Sequence, residues 1–211
     1  MTAIAIIGGT GYTGGNIARE AVARGHRVTS FSRSAPSDPI DGVDYVVGSA
    51  EDSAAAIGEA DVVVASTAAR GDMADRFVAF NARLAQVAAD AGVRFVVVGG
   101  FMSTRPAPGE PRFIEGDVPE EYREEAEAGF ATLDMLMTSA PEDLDWLYVS
   151  PGAEYGPWAA GERIGEYRKS GDVALFDSAG KSTIGGEDFA IAVVDELESP
   201  TIQRGQVHFA Y

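Results

Sequence analysis

Six short segments of the chain are mostly apolar and rich in β-branched residues. They are AIAII at 3–7, RVTSF at 27–31, DYVV at 44–47, DVVVAS at 61–66, RFVVVG at 94–99 and DWLYVS at 145–150. A strand with one solvated face alternates apolar and polar residues, whereas a strand covered on both faces is apolar along its length. The pattern therefore predicts buried strands of a parallel sheet.

Longer alanine-rich segments with helical character lie between these strands. The predicted helices cover 12–24, 52–59, 73–91 and 119–139. Gly25 and Gly92 are placed to end two of them, and Asp117 with Pro119 is placed to begin the last. Because strand and helix alternate, the predicted fold is α/β, a doubly wound parallel sheet with helices on both faces.

The character of the sequence changes after residue 150. Residues 151–172 are rich in glycine and aromatic residues, and 173–184 resembles two short strands about a turn at Ala179-Gly180. An amphipathic helix at 186–198 and a final strand at 206–211 follow. The chain contains no recognisable linker or repeat, so we expect one domain over 1–211 whose residues 151–211 include a small C-terminal lobe.

Five glycines are concentrated where the first strand meets the first helix. Gly9-Thr10-Gly11-Tyr12-Thr13-Gly14 fits the pattern G-x-G-x-x-G, and Gly8, Gly11 and Gly14 also fit G-x-x-G-x-x-G. Glycine permits a tight turn and close backbone approach, while a helix N-terminus offers unpaired N–H groups to an anion. A purely structural turn is the alternative, but the position between strand and helix favours a dinucleotide pyrophosphate. No Lys-Ser/Thr pair follows, so this is not a P-loop.

The end of the second strand indicates which dinucleotide binds. An NAD site places Asp or Glu about 20 residues beyond the glycines to bond the ribose 2′-hydroxyl. This chain has no acidic residue from Ala21 to Ser37 and has Ser32, Arg33 and Ser34 instead. An arginine flanked by hydroxyls suits a 2′-phosphate, so NADP(H) is favoured over NAD(H). A solvated surface arginine is the alternative.

Small residues follow the other predicted strands at the edge of the sheet where cofactors of such folds bind. Gly48-Ser49-Ala50 is expected to border the adenine, and Ser66-Thr67-Ala68 the ribose and pyrophosphate. Gly99-Gly100 would leave room for the nicotinamide. Together they predict a groove along this edge for a flat ligand.

Composition excludes several other functions. The net charge of −17 at pH 7 repels nucleic acid and anionic membranes, so we expect neither as a partner. Without cysteine there is no thiolate, and two histidines are too few for a multi-histidine metal site. No apolar run approaches membrane-spanning length and the start of the chain is unlike a signal peptide, so we expect a cytoplasmic protein.

These residues together resemble the atypical branch of the short-chain dehydrogenase/reductase superfamily. The closer similarity is to its NAD(P)H-binding, NmrA-like and NAD(P)H-flavin reductase group, which includes the biliverdin reductase B type. The segments IIGGTGYTG, FSR, VVVGGFMS and YVSPGA and the stretch 161–200 carry the resemblance. It implies a Rossmann fold, use of NAD(P)H, and cofactor contacts by Pro151 and Gly152.

The superfamily's usual catalytic pair, Tyr-x-x-x-Lys, is absent. Lys169 and Lys181 are the only lysines, and Gly165 and Asp177 stand four residues before them. Tyr122 lies where the resemblance places the tyrosine, but its fourth following residue is an alanine. The chain therefore lacks the lysine that prepares the tyrosine for proton transfer.

The remaining candidates for a polar catalytic residue are Ser103, Tyr155 and Tyr122. Ser103 follows the fifth strand, where the superfamily often places a serine that bonds substrate, although a turn role is equally compatible. A neutral serine orients a substrate better than it protonates one. This suits a flavin or quinone, which accepts a hydride from NADPH and takes its proton from solvent.

Bulky side chains would surround such a planar acceptor. The candidates are Phe101, Met102, Phe113, Tyr155 and Trp158. Packing in the core or in the C-terminal lobe is the alternative role for these side chains.

Two functions follow from these residues. One is an NADPH-dependent reductase whose partner is a small-molecule acceptor, with flavin as a candidate substrate. The other is an NmrA-like sensor that binds NADP(H) without turnover and signals through a protein partner. A sugar-nucleotide epimerase or dehydratase needs the absent acid–base pair and is less favoured.

Overall fold

A computed structural model describes residues 1–49 and 52–211, and the strands among them form one open sheet. The strands are β1 (Ala3–Ile7), β2 (Arg27–Ser32), β3 (Val43–Val47), β4 (Val62–Ala65), β5 (Arg94–Val98), β6 (Trp146–Ser150), β7 (Arg168–Ser170) and β8 (Gly205–Ala210). The α-helices are α1 (Tyr12–Ala23), α2 (Phe77–Ala91), α3 (Glu120–Ser139) and α4 (Gly186–Glu198).

The order of strands across the sheet is β3-β2-β1-β4-β5-β6-β8-β7. Neighbouring strands are parallel except β7, which runs antiparallel to β8. The chain moves outward from β1 through β2 to β3, then returns to pair β4 with the other side of β1. The predicted doubly wound α/β sheet is confirmed, and the reversal of direction at β1 is where such folds bind ligands.

Apolar side chains of the central strands pack on both faces of the sheet. On one face Ile6 and Val64 lie in a cluster with Phe189 of α4, and on the other Val63 and Phe95 lie in a cluster with Leu84 of α2. Every residue of β4 and β6 is buried. This two-sided burial explains why these strands lack polar alternation.

Two segments that were predicted as helices form 3₁₀ helix over part of their length. The segment 52–59 forms only a 3₁₀ helix over Asp52–Ala56, and 73–91 divides into a 3₁₀ helix at Gly71–Arg76 and α2. The last predicted helix begins with Pro119 at its N-cap without a side-chain cap, so the prediction of Asp117 as N-cap is wrong.

The C-terminal segment contributes to the main sheet. Helix α4 packs against α1, and β8 pairs with β6 in the register Val149 to Val207. The two strands predicted at 173–184 are replaced by single bridges from Val173 and Thr183 to other segments. The turn between them forms, because the Asp177 carboxylate accepts N–H bonds from the two sides of Gly180.

Candidate functional site

The glycine-rich turn joins β1 to α1 through contacts of backbone with backbone. Gly8 has a φ of +89°, and a Cβ there would lie 2.6 Å from the carbonyl oxygen of Ser66. A Cβ on Gly14 would lie 2.5 Å from the carbonyl oxygen of Gly8. Gly11 is the N-cap of α1 and no side chain caps the helix. The turn therefore holds the start of α1 close to β1 and leaves its first N–H groups for an external anion.

Two hydroxyl groups beside this turn are buried without a hydrogen-bond partner among the described residues. They are Ser66 Oγ and Thr67 Oγ1, which follow β4 directly. A buried polar group without a partner costs about 1–3 kcal/mol, so its retention needs an explanation. The oxygens of a dinucleotide's ribose and pyrophosphate would satisfy both hydroxyls, and the residues present therefore fit this cofactor.

The end of β2 carries the predicted arginine in an ion pair. The Arg33 Nη1 lies 2.5 and 2.6 Å from the two carboxylate oxygens of Asp72, in the 3₁₀ helix after β4. The Arg33 guanidinium holds the pKa of Asp72 below its usual value. Ser32 donates its hydroxyl to the carbonyl of Ser34 at 2.8 Å. Asp72 was not recognisable from the sequence, since 39 residues separate it from Arg33.

The loops after β3 and β4 supply small residues to the same edge of the sheet. Ser49 donates both its N–H and its hydroxyl to the Asp52 carboxylate, at 2.9 and 2.7 Å. Ala50, predicted beside the adenine, lies outside the described residues. Ala68 is exposed, and its carbonyl accepts the N–H of Arg70 at 2.9 Å.

The two glycines after β5, Gly99 and Gly100, have different surroundings. A Cβ on Gly99 would lie 1.9 Å from Cζ of Tyr148, whereas a Cβ on Gly100 would have no neighbour within 4 Å. The prediction that Gly99 leaves room for the nicotinamide therefore needs correction, because the ring of Tyr148 fills the space. Gly100 is the member of the doublet that borders an open space.

Pro151 and Gly152 follow β6 and are both buried. A Cβ on Gly152 would lie 2.8 Å from the carbonyl oxygen of Ser182 and 2.8 Å from the nitrogen of Thr183. The glycine therefore permits the 182–183 segment to cross the end of β6 at close range.

Tyr155 contacts the first turn of α1. Its hydroxyl lies 2.9 Å from Thr13 Oγ1, and its ring meets that of Tyr12 edge-on with centroids 5.7 Å apart. Burial raises the pKa of the Tyr155 hydroxyl well above its usual value, although the bond with Thr13 opposes the shift. Tyr155 thus stays protonated, and its bond with Thr13 supports the start of α1 beside the glycine-rich turn.

The other two candidate catalytic residues have unrelated surroundings. Ser103 is 2 % exposed, and its hydroxyl lies 3.1 Å from the hydroxyl of the fully buried Tyr148. Tyr122 is 54 % exposed in the first turn of α3. The Ser103 hydroxyl is engaged inside the protein, and this bond favours the structural alternative for that residue.

Aromatic side chains gather beyond the end of β5, beside His208 of β8. Phe101 stacks on Phe113 with centroids 4.9 Å apart, and Phe176 meets both rings edge-on. The ring of His208 lies edge-on to Phe101 at 5.9 Å. Burial lowers the pKa of His208 to about 4, so it is neutral at neutral pH. Phe176 was not predicted as part of this cluster, because 173–184 was interpreted as two short strands about a turn.

The structure does not bring together all of the bulky residues that were predicted to surround the acceptor. Tyr155 packs on Phe189 of the core with centroids 4.9 Å apart, while Trp158 is 71 % exposed. Met102 is half-buried beside Phe101 in the chain. Phe101 and Phe113 are therefore the predicted residues that the structure brings together.

The family is decided by a match over most of the chain. The model of the NAD(P)H-binding family matches residues 8–200. The chain belongs to the NAD(P)H-binding family. It is 33% identical over 210 residues to the protein YwnB of Bacillus subtilis, a match that covers 93% of this chain and 92% of that one.

Solved structures of similar proteins superpose on this NAD(P)H-binding chain. A candidate NADH-flavin reductase of Streptococcus pneumoniae is 27% identical, with a TM-score of 0.86 over 100% of this chain and 99% of that one. A candidate epimerase of Bacteroides thetaiotaomicron is 29% identical, with a TM-score of 0.86 over 100% and 97%. The resemblance to an NAD(P)-binding, oxidoreductase-like group with a Rossmann fold is confirmed.

The described residues contain neither a group of candidate metal ligands nor a helix that could span a membrane. Nowhere in 1–49 and 52–211 do three or more His, Asp or Glu side chains group as metal ligands would. Within the same ranges, each helix is too short or too polar to cross a membrane.

Proposed function

We propose that this protein is an NADPH-dependent reductase that transfers a hydride to a small conjugated acceptor, a flavin or a quinone. The observation that carries the proposal is the glycine-rich turn, whose backbone packs closely beside the hydroxyls of Ser66 and Thr67. Both hydroxyls are buried and have no hydrogen-bond partner within 1–49 and 52–211. This arrangement lies where the strand order reverses, as a dinucleotide site requires.

The chain's own groups would bind the cofactor along its length. The first N–H groups of α1 would hold the pyrophosphate, and Ser66 and Thr67 would bond the oxygens beside it. Arg33 would pair with the 2′-phosphate. Tyr155 keeps the first turn of α1 in place through Thr13. A bound reduced nicotinamide would supply two electrons and a proton together as a hydride ion.

An acceptor that needs no acid from the protein fits these residues best. The Ser103 hydroxyl is bonded to Tyr148, and the Tyr155 hydroxyl has a raised pKa and is bonded to Thr13. The reduced flavin or quinone would draw its second proton from water, so the protein would need only to align the two rings. Phe101 and Phe113 would form one apolar side of that space, and Tyr122 is the exposed polar group available to orient substrate.

The names of the relatives include both activities, since the Streptococcus pneumoniae protein is named a reductase and the Bacteroides thetaiotaomicron protein an epimerase. The side chains of this chain support the reductase. An epimerase would need a tyrosine with a nearby lysine or an equivalent acid–base pair. Both hydroxyls that would serve here are committed to protein partners, Ser103 to Tyr148 and Tyr155 to Thr13.

The engagement of the Ser103 and Tyr155 hydroxyls by other side chains also favours a second candidate, an NADP(H) sensor without turnover. Mixing the purified protein with NADPH and a panel of flavins and quinones separates the two. We expect the absorbance of the reduced nicotinamide to fall with at least one acceptor. Tight binding of NADPH without oxidation by any acceptor would transfer the proposal to the sensor, and absence of binding would refute both.

Replacing Arg33 by alanine tests the assigned cofactor preference. Loss of the charge-assisted contacts with the 2′-phosphate should weaken NADPH binding by about 1–3 kcal/mol and leave NADH binding unchanged. Calorimetric titration of both nucleotides measures this difference. Arg19→Ala removes the same charge from the exposed face of α1 and should change neither affinity. Equal losses for NADPH and NADH in the Arg33 variant would exclude the role.

A further inference from the structure

The ion pair between Arg33 and Asp72 joins the two segments that flank the glycine-rich turn. Arg33 follows β2, and Asp72 lies in the 3₁₀ helix Gly71–Arg76 that follows β4. In the sheet β1 lies between β2 and β4. The two side chains therefore meet across the end of β1, on the path along which the adenosine half of a dinucleotide would lie.

Both oxygens of the Asp72 carboxylate bond to one nitrogen of the Arg33 guanidinium, and both lie within 2.6 Å of this Nη1 atom. The other cation near the carboxylate, Arg76 Nη2, is 3.8 Å away, so Arg33 is the principal partner. The side chains of Arg33 and Asp72 are 67% and 55% exposed, and water reaches both.

We propose that Asp72 is a specificity-determining residue that competes with the 2′-phosphate of NADP(H) for Arg33. The inference rests on the proposed function, because it takes Arg33 as the ligand of that phosphate. The carboxylate occupies Nη1, so the 2′-phosphate can use all the donors of the guanidinium only after it displaces Asp72. NAD(H) carries no group that needs the arginine. Asp72 therefore reduces the margin by which the protein prefers NADPH to NADH.

Two electrostatic effects act in the same direction. An exposed ion pair is weak, so a phosphate with nearly two negative charges can break it. The displaced carboxylate then stays near the phosphate and repels it. Salt screens both effects over about 10 Å at 0.1 M ionic strength, so the influence of Asp72 should decline as salt is added.

The Asp72→Asn variant tests the competition directly. At low salt we expect NADPH to bind about 3- to 10-fold more tightly than to the wild type, with NADH changed less than about twofold. Calorimetric titration of both nucleotides provides the ratio. Asp75→Asn removes the same charge from an exposed position in the same 3₁₀ helix, and it should change the NADPH affinity much less.

The Arg33→Ala background separates competition from simple repulsion. With the arginine absent, Asp72→Asn should give a smaller gain in NADPH affinity, because no ion pair remains to be broken. An equal gain in both backgrounds, an unchanged ratio of NADPH to NADH affinity, or weaker NADPH binding by Asp72→Asn overturns this inference alone. Failure of the wild type to bind either nucleotide overturns this inference and the proposed function together.

Discussion

Alanine in place of Gly14 is expected to weaken NADPH binding at least about 100-fold, because each charge-assisted hydrogen bond to the pyrophosphate is worth about 1.5–3 kcal/mol. The new Cβ would lie 2.5 Å from the carbonyl oxygen of Gly8 and 2.8 Å from Cα of Gly9. Both contacts are with backbone, so the start of α1 must move away from β1. That movement displaces the N–H groups that would bind the pyrophosphate. Calorimetric titration measures the loss.

The adjacent glycine provides the matched control. A Cβ on Gly15 would lie 3.6 Å from the carbonyl oxygen of Gly9, an ordinary contact. Gly15→Ala should therefore bind NADPH like the wild type and unfold at a slightly higher temperature, since alanine favours a helix over glycine by about 1 kcal/mol. Gly14→Ala should cost about 1–3 kcal/mol of folding stability through overpacking. Normal NADPH affinity in a folded Gly14→Ala protein would contradict the assignment of the pyrophosphate to the start of α1.

Local patterns in the sequence were sufficient to predict most of the fold. The central strands are apolar because both faces are covered, and the glycine motif lies at a junction of strand and helix. Strand β7 was missed because Arg168–Ser170 is a short polar edge strand that needs only backbone pairing with β8. The 3₁₀ helix at Asp52–Ala56 was mistaken for a longer helix, because alanine-rich composition does not by itself set helix length.

Only those candidate site residues that lie at a fixed position after a strand can be predicted from the sequence. The glycines and the end of β2 lie at fixed positions after their strands, and so could be placed. The contacts of Tyr155 with Thr13, across 142 residues, and of Ser103 with Tyr148, across 45, depend on packing that no local pattern specifies. These contacts change the interpretation of the two hydroxyls, from groups that would act on a substrate to groups that hold the structure.

The surroundings of Gly99 and Gly100 also depend on packing that the local sequence does not show. A substitution at Gly99 should have the second large effect, on the stability of the fold. Gly99→Ala is expected to destabilise the fold by about 3 kcal/mol, because overpacking a closed core costs this much. Its Cβ would lie 1.9–2.2 Å from three atoms of the Tyr148 side chain. The backbone cannot retreat easily, since the Gly99 N–H donates to the carbonyl of Val149 at 2.8 Å. Chemical denaturation measures the change.

The ring of Tyr148 cannot retreat either. It is fully buried, and its hydroxyl donates to the carbonyl of Gly129 at 2.9 Å. Gly100→Ala, the control, meets no atom within 4 Å and should change stability by less than about 0.5 kcal/mol.

A double-mutant cycle identifies the contact responsible for the cost at Gly99. Tyr148→Leu removes the ring atoms that the methyl group introduced by Gly99→Ala would strike, at the cost of a cavity of its own. In the double variant the two losses should not add, and the coupling should reach about 1–3 kcal/mol, as expected for residues in contact. Strictly additive losses would mean that Gly99 is required for a reason other than the space that it leaves for Tyr148.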